Sequence, residues 1–401
     1  MMMENIGLGT HWVEVDLGAL QHNYRVIREK IGPQVKLLGV VKADAYGLGA
    51  VEVSKVLEAQ GIDMLAVTSA AEGQQLREAG IKTPILVFRP FLPEEISVMA
   101  RWNLTATVAS REAILSLKEW LEEHGGTINL HLKVETGMGR YGFWPEEAVV
   151  AAQEIMSIPG LFLEGVYSHL ATAMWKNKAY CRKQFQIFQE TCANLEKAGI
   201  KGLIKHIANS AAIIELPEMH LDMVRAGILL YGQYPNAPVK KGINFNLKDT
   251  WSFKAKVVYI RELPQGHSVG YGRTFRARRS LPVAVLPVGY VDGVQLEPLF
   301  KPATFLDFLK GAAKLLLTYV GWEKFRAPVQ FPGGKGRIIG KVGMQLTMVD
   351  VSEVKDLTVG TIASVPVRRT AINSAIPKVY KEGIEVLQAG GDIGISYEQE
   401  S

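Results

Sequence analysis

Between residues 35 and 230 the chain repeats one pattern, a short apolar run rich in branched side chains followed by a longer stretch of helical periodicity. Eight runs can be marked: Leu37 to Val41, Met64 to Val67, Ile85 to Phe88, Thr105 to Val108, Ile128 to Val134, Gly165 to Ser168, Lys205 to Ala208 and Met223 to Ile228. Strands that are apolar on both sides are covered on both sides, the condition of a parallel sheet flanked by crossover helices. Eight such units in about 200 residues predict an α/β fold, a closed (β/α)8 TIM-type barrel. An open doubly wound sheet is the competing architecture.

The flanks read differently. Asp16 precedes Leu17, Leu20, Tyr24, Ile27 and Ile31, so it is placed to cap an amphipathic helix, with an extra strand at about residues 10–15 before it. Gln233 to Gly242 holds two prolines, a glycine and two lysines and reads as a connector. Beyond it Trp251 to Leu263, Pro282 to Gly289, Arg337 to Val342, Leu346 to Val351 and Thr361 to Val367 read as strands with few helices between them. The expected organisation is a barrel domain over residues 1–242, whose N-terminal strand can join the second domain, and a mainly antiparallel β domain over 243–390. Leu299 to Leu317 reads as a helical insertion at about 298–318, and 391–401 as a frayed tail.

Composition removes several functions. A chain of 401 residues with 48% hydrophobic side chains can bury two cores. Its charge of +5 is dispersed, without the basic clusters that nucleic acid or an anionic membrane demands. No apolar stretch approaches the ~20 residues of a membrane span, and residues 1–16 show no basic region followed by an apolar run, so a protein neither exported nor membrane-embedded is expected. The two cysteines, Cys181 and Cys192, suit neither a disulfide framework nor a metal site, and a cytoplasmic protein without metal is expected.

In a barrel of this type the functional groups gather at the carboxyl ends of the strands. There the chain places Lys42 and Tyr46 after the first run, Lys133 and Arg140 after the fifth, His169 after the sixth, Ser210 after the seventh, and Arg225, Gly227 and Ile228 on the eighth. A lysine that follows Gly-Val-Val on a buried strand is costly to keep charged, and the resulting free amine suits a Schiff base with a carbonyl. The ordinary alternative is an ammonium that reaches water, but Ser210, Gly227 and the Ile228 amide form the kind of phosphate cradle that such barrels carry on their last strands.

Seven motifs then carry a resemblance. VVKADAYGLGA at Lys42, KVETGMGRYG at Arg140, YSHLATA at His169, HIANSAA at Ser210, MVRAGILLYG at Arg225, VGYGRTF at Tyr271 and VGYVDG at Tyr290 resemble, in order, the alanine racemase family over residues 10–385. The resemblance implies an isomerase, a pyridoxal 5'-phosphate-dependent amino-acid racemase that supplies D-alanine for the cell wall as a cytoplasmic homodimer. It implies that Lys42 holds the cofactor covalently, that Tyr46, Ser210 and the Gly227 and Ile228 amides hold its phosphate, and that Arg225 faces the pyridine nitrogen. A guanidinium cannot accept a hydrogen bond from a pyridinium N–H, so it favours the unprotonated, neutral ring, a weaker electron sink in which side reactions are restrained.

Inversion needs two proton-transfer groups on opposite sides of the α-carbon. By resemblance these are Lys42 and Tyr271, the latter supplied by the partner subunit, with positive charge at His169 and Arg225 favouring the Tyr271 phenolate. Arg140 would contact the substrate carboxylate or the cofactor's ring oxygen, the Met344 amide would assist at the carboxylate, and Lys133 matches a lysine often carbamylated in the family, where a carbamate would position Arg140. The alternative for Lys133 is an ion pair with a nearby acid, and His169 and Asn209 have ordinary readings as a hydrogen-bonded core histidine and a strand-end cap.

Two positions depart from the family pattern. Gln345 stands where an acid is usual, and Ser374 where a tyrosine is. The pocket is therefore expected to be roomier and less acidic, with alanine the best substrate and serine or a slightly larger amino acid tolerated. The competing functions are a broader or serine-type racemase, a decarboxylase with a β domain, and a non-catalytic carrier of the cofactor.

Overall fold

The protein is described here from a computed structural model, covering residues 9–235, 245–296, 305–319, 327–368, 372–373, 375–382 and 385–388. Its contacts divide it into two units, one of Asp16–Thr250 and one of Met1–Val15 with Trp251–Ser401. The expected boundary at 242/243 and the tail at 391–401 lie outside the described residues, as does most of the connector.

The first unit is the barrel. After β1 (His11–Asp16) and α1 (Leu17–Ile31) come β2 (Lys36–Val40), β3 (Met64–Val67), β4 (Ile85–Val87), β5 (Thr105–Val108), β6 (Ile128–Lys133), β7 (Leu161–Tyr167), β8 (Ile204–His206) and β9 (Met223–Ala226). These last eight form one sheet in the order β8-β7-β6-β5-β4-β3-β2-β9, with parallel pairing. The ring closes where Asp222 donates to the Lys205 carbonyl at 3.2 Å and Arg225 to the Ala208 carbonyl at 3.0 Å. All eight sequence runs become strands, and the doubly wound alternative falls away.

Alternate residues of neighbouring strands fill the barrel: Leu38, Val40, Met64, Ala66, Leu86 and Met223 are buried in one cluster against which Tyr46, Phe88 and Ile204 pack. The capping prediction holds, since Asp16 Oδ1 accepts the Ala19 amide at 2.8 Å. Between β6 and β7 the register slips by one residue beside His131, which therefore faces Gly165. A Cβ on Gly165 would lie 2.7 Å from the His131 ring, so only glycine fits beneath it.

The second unit is a ten-stranded sheet with a separate hairpin, Ser268–Val269 against Phe275–Arg276. Its β1 runs antiparallel to β10 (Trp251–Lys256), from His11 against Ala255 to Val15 against Trp251, so the N-terminal strand belongs to this sheet. The single strand expected over Trp251 to Leu263 is broken, with β11 (Tyr259–Leu263) leaving β10 to pair with Leu281–Leu286 at the other edge. Short strands at Val329–Phe331, Lys378–Glu382 and Glu385–Gln388 were not foreseen. The insertion is helical over Phe305–Tyr319, with residues 297–304 outside the description.

Candidate active site

Every strand of the barrel points its carboxyl end to the same rim, which gathers Lys42, Lys133, Ser168, His169, Ser210, Gly227 and Ile228 at one mouth. Lys42 lies just past the carboxyl end of β2, after the first apolar run. It opens α2 (Lys42–Gly47), in which Ala43, Asp44, Ala45 and Tyr46 have φ of 52°, 53°, 52° and 58° with ψ between 34° and 52°, a single left-handed turn. Left-handed backbone costs a non-glycine residue roughly 1–2 kcal/mol, so four in succession must be held by their surroundings. Ala45 donates to the Val41 carbonyl at 2.8 Å and Gly49 to the Asp44 carbonyl at 2.9 Å. Asp44 Oδ1 accepts the Ala50 amide at 2.7 Å, and Glu72 Oε1 accepts the Ala43 amide at 2.6 Å.

Burial lowers the Lys42 ammonium pKa below its ordinary value, the positive Arg140 lowers it further, and Glu72 opposes both. A larger share of free amine at neutral pH follows. The same turn aims Tyr46 at the last strand: a Cβ on Gly227 would lie 2.7 Å from the Tyr46 hydroxyl oxygen. Gly227 donates its N–H to Ser210 Oγ at 3.0 Å instead of offering it to a ligand as expected, while the Ile228 N–H takes no acceptor among the described residues. The Tyr46 and Ser210 hydroxyls, the Ile228 amide and the half-buried Lys42 amine meet beside Gly227, a donor set that fits a phosphorylated carbonyl cofactor. Asn209 caps the following helix, accepting from Ala211 at 3.1 Å and Ala212 at 3.3 Å.

Arg225 is buried within the barrel at 3% exposure. Its Nη1 donates to His206 Nδ1 and to the His206 carbonyl, each at 3.0 Å. Its Nη2 donates to the carbonyls of Ser168 at 2.8 Å and Ile207 at 3.0 Å, and to His169 Nδ1 at 3.2 Å. Among the described residues its Nε–H takes no protein acceptor, which leaves one donor for a ligand. Because arginine only donates, His169 must be unprotonated at Nδ1 and carry its proton on Nε2. Burial, then Arg225, Arg140, Lys133 and Lys42, also hold the His169 pKa well below the ordinary histidine value. His169 is therefore neutral, which corrects the expectation that it lends positive charge to a phenolate.

Lys133 is 1% exposed, and its Nζ donates to the Val134 carbonyl at 2.6 Å rather than forming an ion pair with an acid. Burial brings its pKa down to about 7, with Glu135 opposing and Arg225 and Arg140 assisting. Glu135 accepts the amides of Gly137, Met138 and Arg140 and so shapes the loop that carries Arg140, whose guanidinium lies 4.9 Å over the Tyr141 ring. His206, His131, Tyr167, Glu72 and Glu135 were missed by the sequence reading. A visible signal existed for the two histidines, polar positions on otherwise apolar strands, and for Glu72, fourth in a Ser-x-x-Glu capping box at Ser69.

In the second unit Tyr271 stands 77% exposed in the hairpin turn between Gly270 and Gly272, whose φ values are 69° and 73°. Met344 is 57% exposed; its carbonyl accepts from Val291 at 3.3 Å, and its N–H takes no acceptor among the described residues. Gln345 is exposed in the same loop, and Ser374 lies outside the described residues.

Fold and rim define an enzyme of the barrel-and-β-domain class, with its polar groups gathered at one barrel mouth. Residues 15–235 match the alanine racemase N-terminal domain and residues 250–375 the alanine racemase C-terminal domain. The chain belongs to the alanine racemase family and is an isomerase. It is 38% identical over 355 residues to the alanine racemase of Methanococcus maripaludis, covering 88% of each chain. To that of Carboxydothermus hydrogenoformans it is 36% identical over 374 residues, 92% of this chain and 99% of the other. Among solved structures, alanine racemase of Clostridium difficile 630 superposes with a TM-score of 0.82 at 31% identity, over 95% of this chain and 98% of that one.

Proposed function

We propose that the protein interconverts L- and D-alanine with pyridoxal 5'-phosphate held at Lys42. The observation that supports this most is the partly desolvated Lys42 amine carried by the same left-handed turn that brings the Tyr46 hydroxyl against Gly227, whose N–H is bonded to Ser210 Oγ. Tyr46, Ser210 and the Ile228 amide would hold the phosphate, and the Arg225 Nε–H would face the ring nitrogen. When bound, the cofactor supplies an electron-withdrawing ring that acidifies the substrate's α-hydrogen.

Lys42 Nζ moves the proton on one side of the α-carbon, and Tyr271 Oη, supplied by a second copy of the chain, moves it on the other. Arg225, a cation that only donates, would pair with an unprotonated ring nitrogen and disfavour its protonation, which restrains reactions other than inversion. His169, neutral and held at Nδ1, fixes Arg225 and offers an Nε2–H. Arg140 and the Met344 amide bind the substrate carboxylate. The Lys133 amine, half neutral near pH 7, is suited to form the carbamate that would hold Arg140 in place.

The neutral Gln345 supports a second reading, that serine or a slightly larger amino acid is also turned over. The product's place is D-alanine supply for the cell wall, from a cytoplasmic homodimer. Chiral chromatography of a panel of L-amino acids incubated with the purified protein tests both readings. Racemic alanine without carbon dioxide is expected. Carbon dioxide release would favour a decarboxylase, and no turnover at all a cofactor carrier.

A further inference from the structure

Glu72 lies outside every role assigned above, yet its two carboxylate oxygens join two parts of the barrel rim. Oε1 accepts the amide of Ala43, the residue that follows Lys42 and begins the left-handed turn, at 2.6 Å. Oε2 accepts the Thr68 amide at 2.7 Å, the Thr68 hydroxyl at 2.9 Å and the Ser69 amide at 3.2 Å, at the end of the neighbouring strand. Glu72 belongs to the first turn of α3 (Ala70–Glu78), whose cap is completed by Ser69 Oγ accepting the Glu72 amide at 3.3 Å. A helix cap alone would need only the bond to Ser69. The bond to Ala43 reaches across 29 positions to a strained backbone that has no reason to persist unless something holds it.

The charges around Lys42 point the same way. Arg140 acts on it with like sign, neutral His169 lies within its electrostatic reach, and Glu72 is the acid whose charge favours the ammonium form. We infer that Glu72 is a positioning residue for Lys42: it clamps the left-handed turn to the end of the adjacent strand, fixing where the lysine amine stands and balancing the positive charge beside it. The inference rests on Lys42 being the cofactor-bearing residue. It deepens that reading by naming what holds the amine in place.

Three variants test it, each stripped of vitamin B6 and reloaded with pyridoxal phosphate while the absorbance of the covalent adduct is followed against pH. Glu72→Gln keeps the side-chain shape but can no longer offer acceptors to both sets of amides, and it removes the charge. The rate of adduct formation should fall by about ten- to a hundredfold, the range a small misplacement of a reacting group produces. The pH midpoint of capture should move downward, because the charge favouring the ammonium is gone. Turnover should fall in kcat with little change in KM. Ser69→Ala weakens the cap but leaves the clamp, so its capture rate and midpoint should match the parent. Ala43→Gly added to Glu72→Gln should restore part of the lost rate, because glycine adopts the turn without restraint.

Parental capture rate and midpoint in Glu72→Gln would overturn the inference, as would equal effects from Ser69→Ala. No recovery on adding Ala43→Gly would overturn the clamp. A parent protein that forms no adduct at all would remove the assignment of Lys42 itself, an outcome read before any variant is compared.

Discussion

Arg225 donates from Nη1 to Nδ1 of His206 at 3.0 Å, and His206 Nε2 lies 2.8 Å from Nδ1 of His131. Since arginine only donates, the protons along this line have one arrangement: His206 protonated at Nε2 and donating, His131 accepting at Nδ1 and protonated at Nε2. The last of these nitrogens is buried and has no partner among the described residues. A cation within the barrel is thus backed by two neutral rings that meet edge to face at 67°, with Tyr167 stacked on His206 at a centroid distance of 4.9 Å.

That arrangement predicts that His131, His169 and His206 stay neutral in the folded protein well into acid. Burial first, then Arg225, brings His131 down to about 3 and holds the other two well below the ordinary value. In the unfolded chain the same rings bind protons below about pH 6.5, so the unfolded state gains protons as pH falls and stability drops through that window. Nitrogen-15 spectra of histidine-labelled protein should show three neutral Nε2–H rings at pH 5.5. A titration of any of them near pH 6.5 would contradict this.

Gly227→Ala should leave the barrel folded and weaken cofactor binding. The new methyl meets the Tyr46 hydroxyl at 2.7 Å, and overpacking of this kind costs typically about 1–3 kcal/mol, or roughly a tenfold to hundredfold loss of affinity. Adding Tyr46→Phe removes the oxygen in the way but also a hydroxyl that would hold the phosphate, so affinity should stay low in an equilibrium titration with pyridoxal phosphate while stability against urea recovers in part. Equal stability in the single and double variants would place the methyl's effect elsewhere.

The left-handed turn gives a paired prediction at Ala43, which is exposed, so that packing does not intervene. Ala43→Val puts a branched side chain at φ 52° and should destabilise the protein by more than about 1 kcal/mol in urea denaturation. Ala43→Gly should fall within about 1 kcal/mol of the parent, on the stable side. The reverse order would mean that the turn is not left-handed in solution.

This turn also marks where the sequence stopped being legible. Eight apolar runs yielded eight strands because a strand buried on both faces leaves a compositional trace, and the site residues followed from where those strands end. Ala43, Asp44 and Ala45 carry no comparable trace: nothing in an Ala-Asp-Ala run announces a left-handed backbone, which is held by the bond from Ala43 to Glu72, 29 positions away, as well as by the local bond from Ala50 to Asp44. The charge of His169 was misread for a related reason, since a residue's protonation is set by neighbours that only the fold brings together. Breaking of the strand over Trp251 to Leu263 likewise depends on β11 finding a partner at Leu281–Leu286.

At Lys133, a pKa of about 7 leaves much of the amine neutral at physiological pH, the form that adds carbon dioxide. Carbon-13 spectra of protein kept in labelled bicarbonate should show a carbamate resonance at pH 8 that Lys133→Met abolishes. A resonance that survives the substitution would assign it to another amine, and its absence from the parent would leave Arg140 held by Glu135 and Tyr141 alone.

The account depends most on which amine carries the cofactor, and peptide mapping after borohydride reduction reads that directly. The protein loaded with pyridoxal phosphate, reduced and digested, should carry the added mass on the peptide containing Lys42 and on no other. Mass on the Lys133 peptide, or no modified peptide from a fully loaded sample, would contradict it.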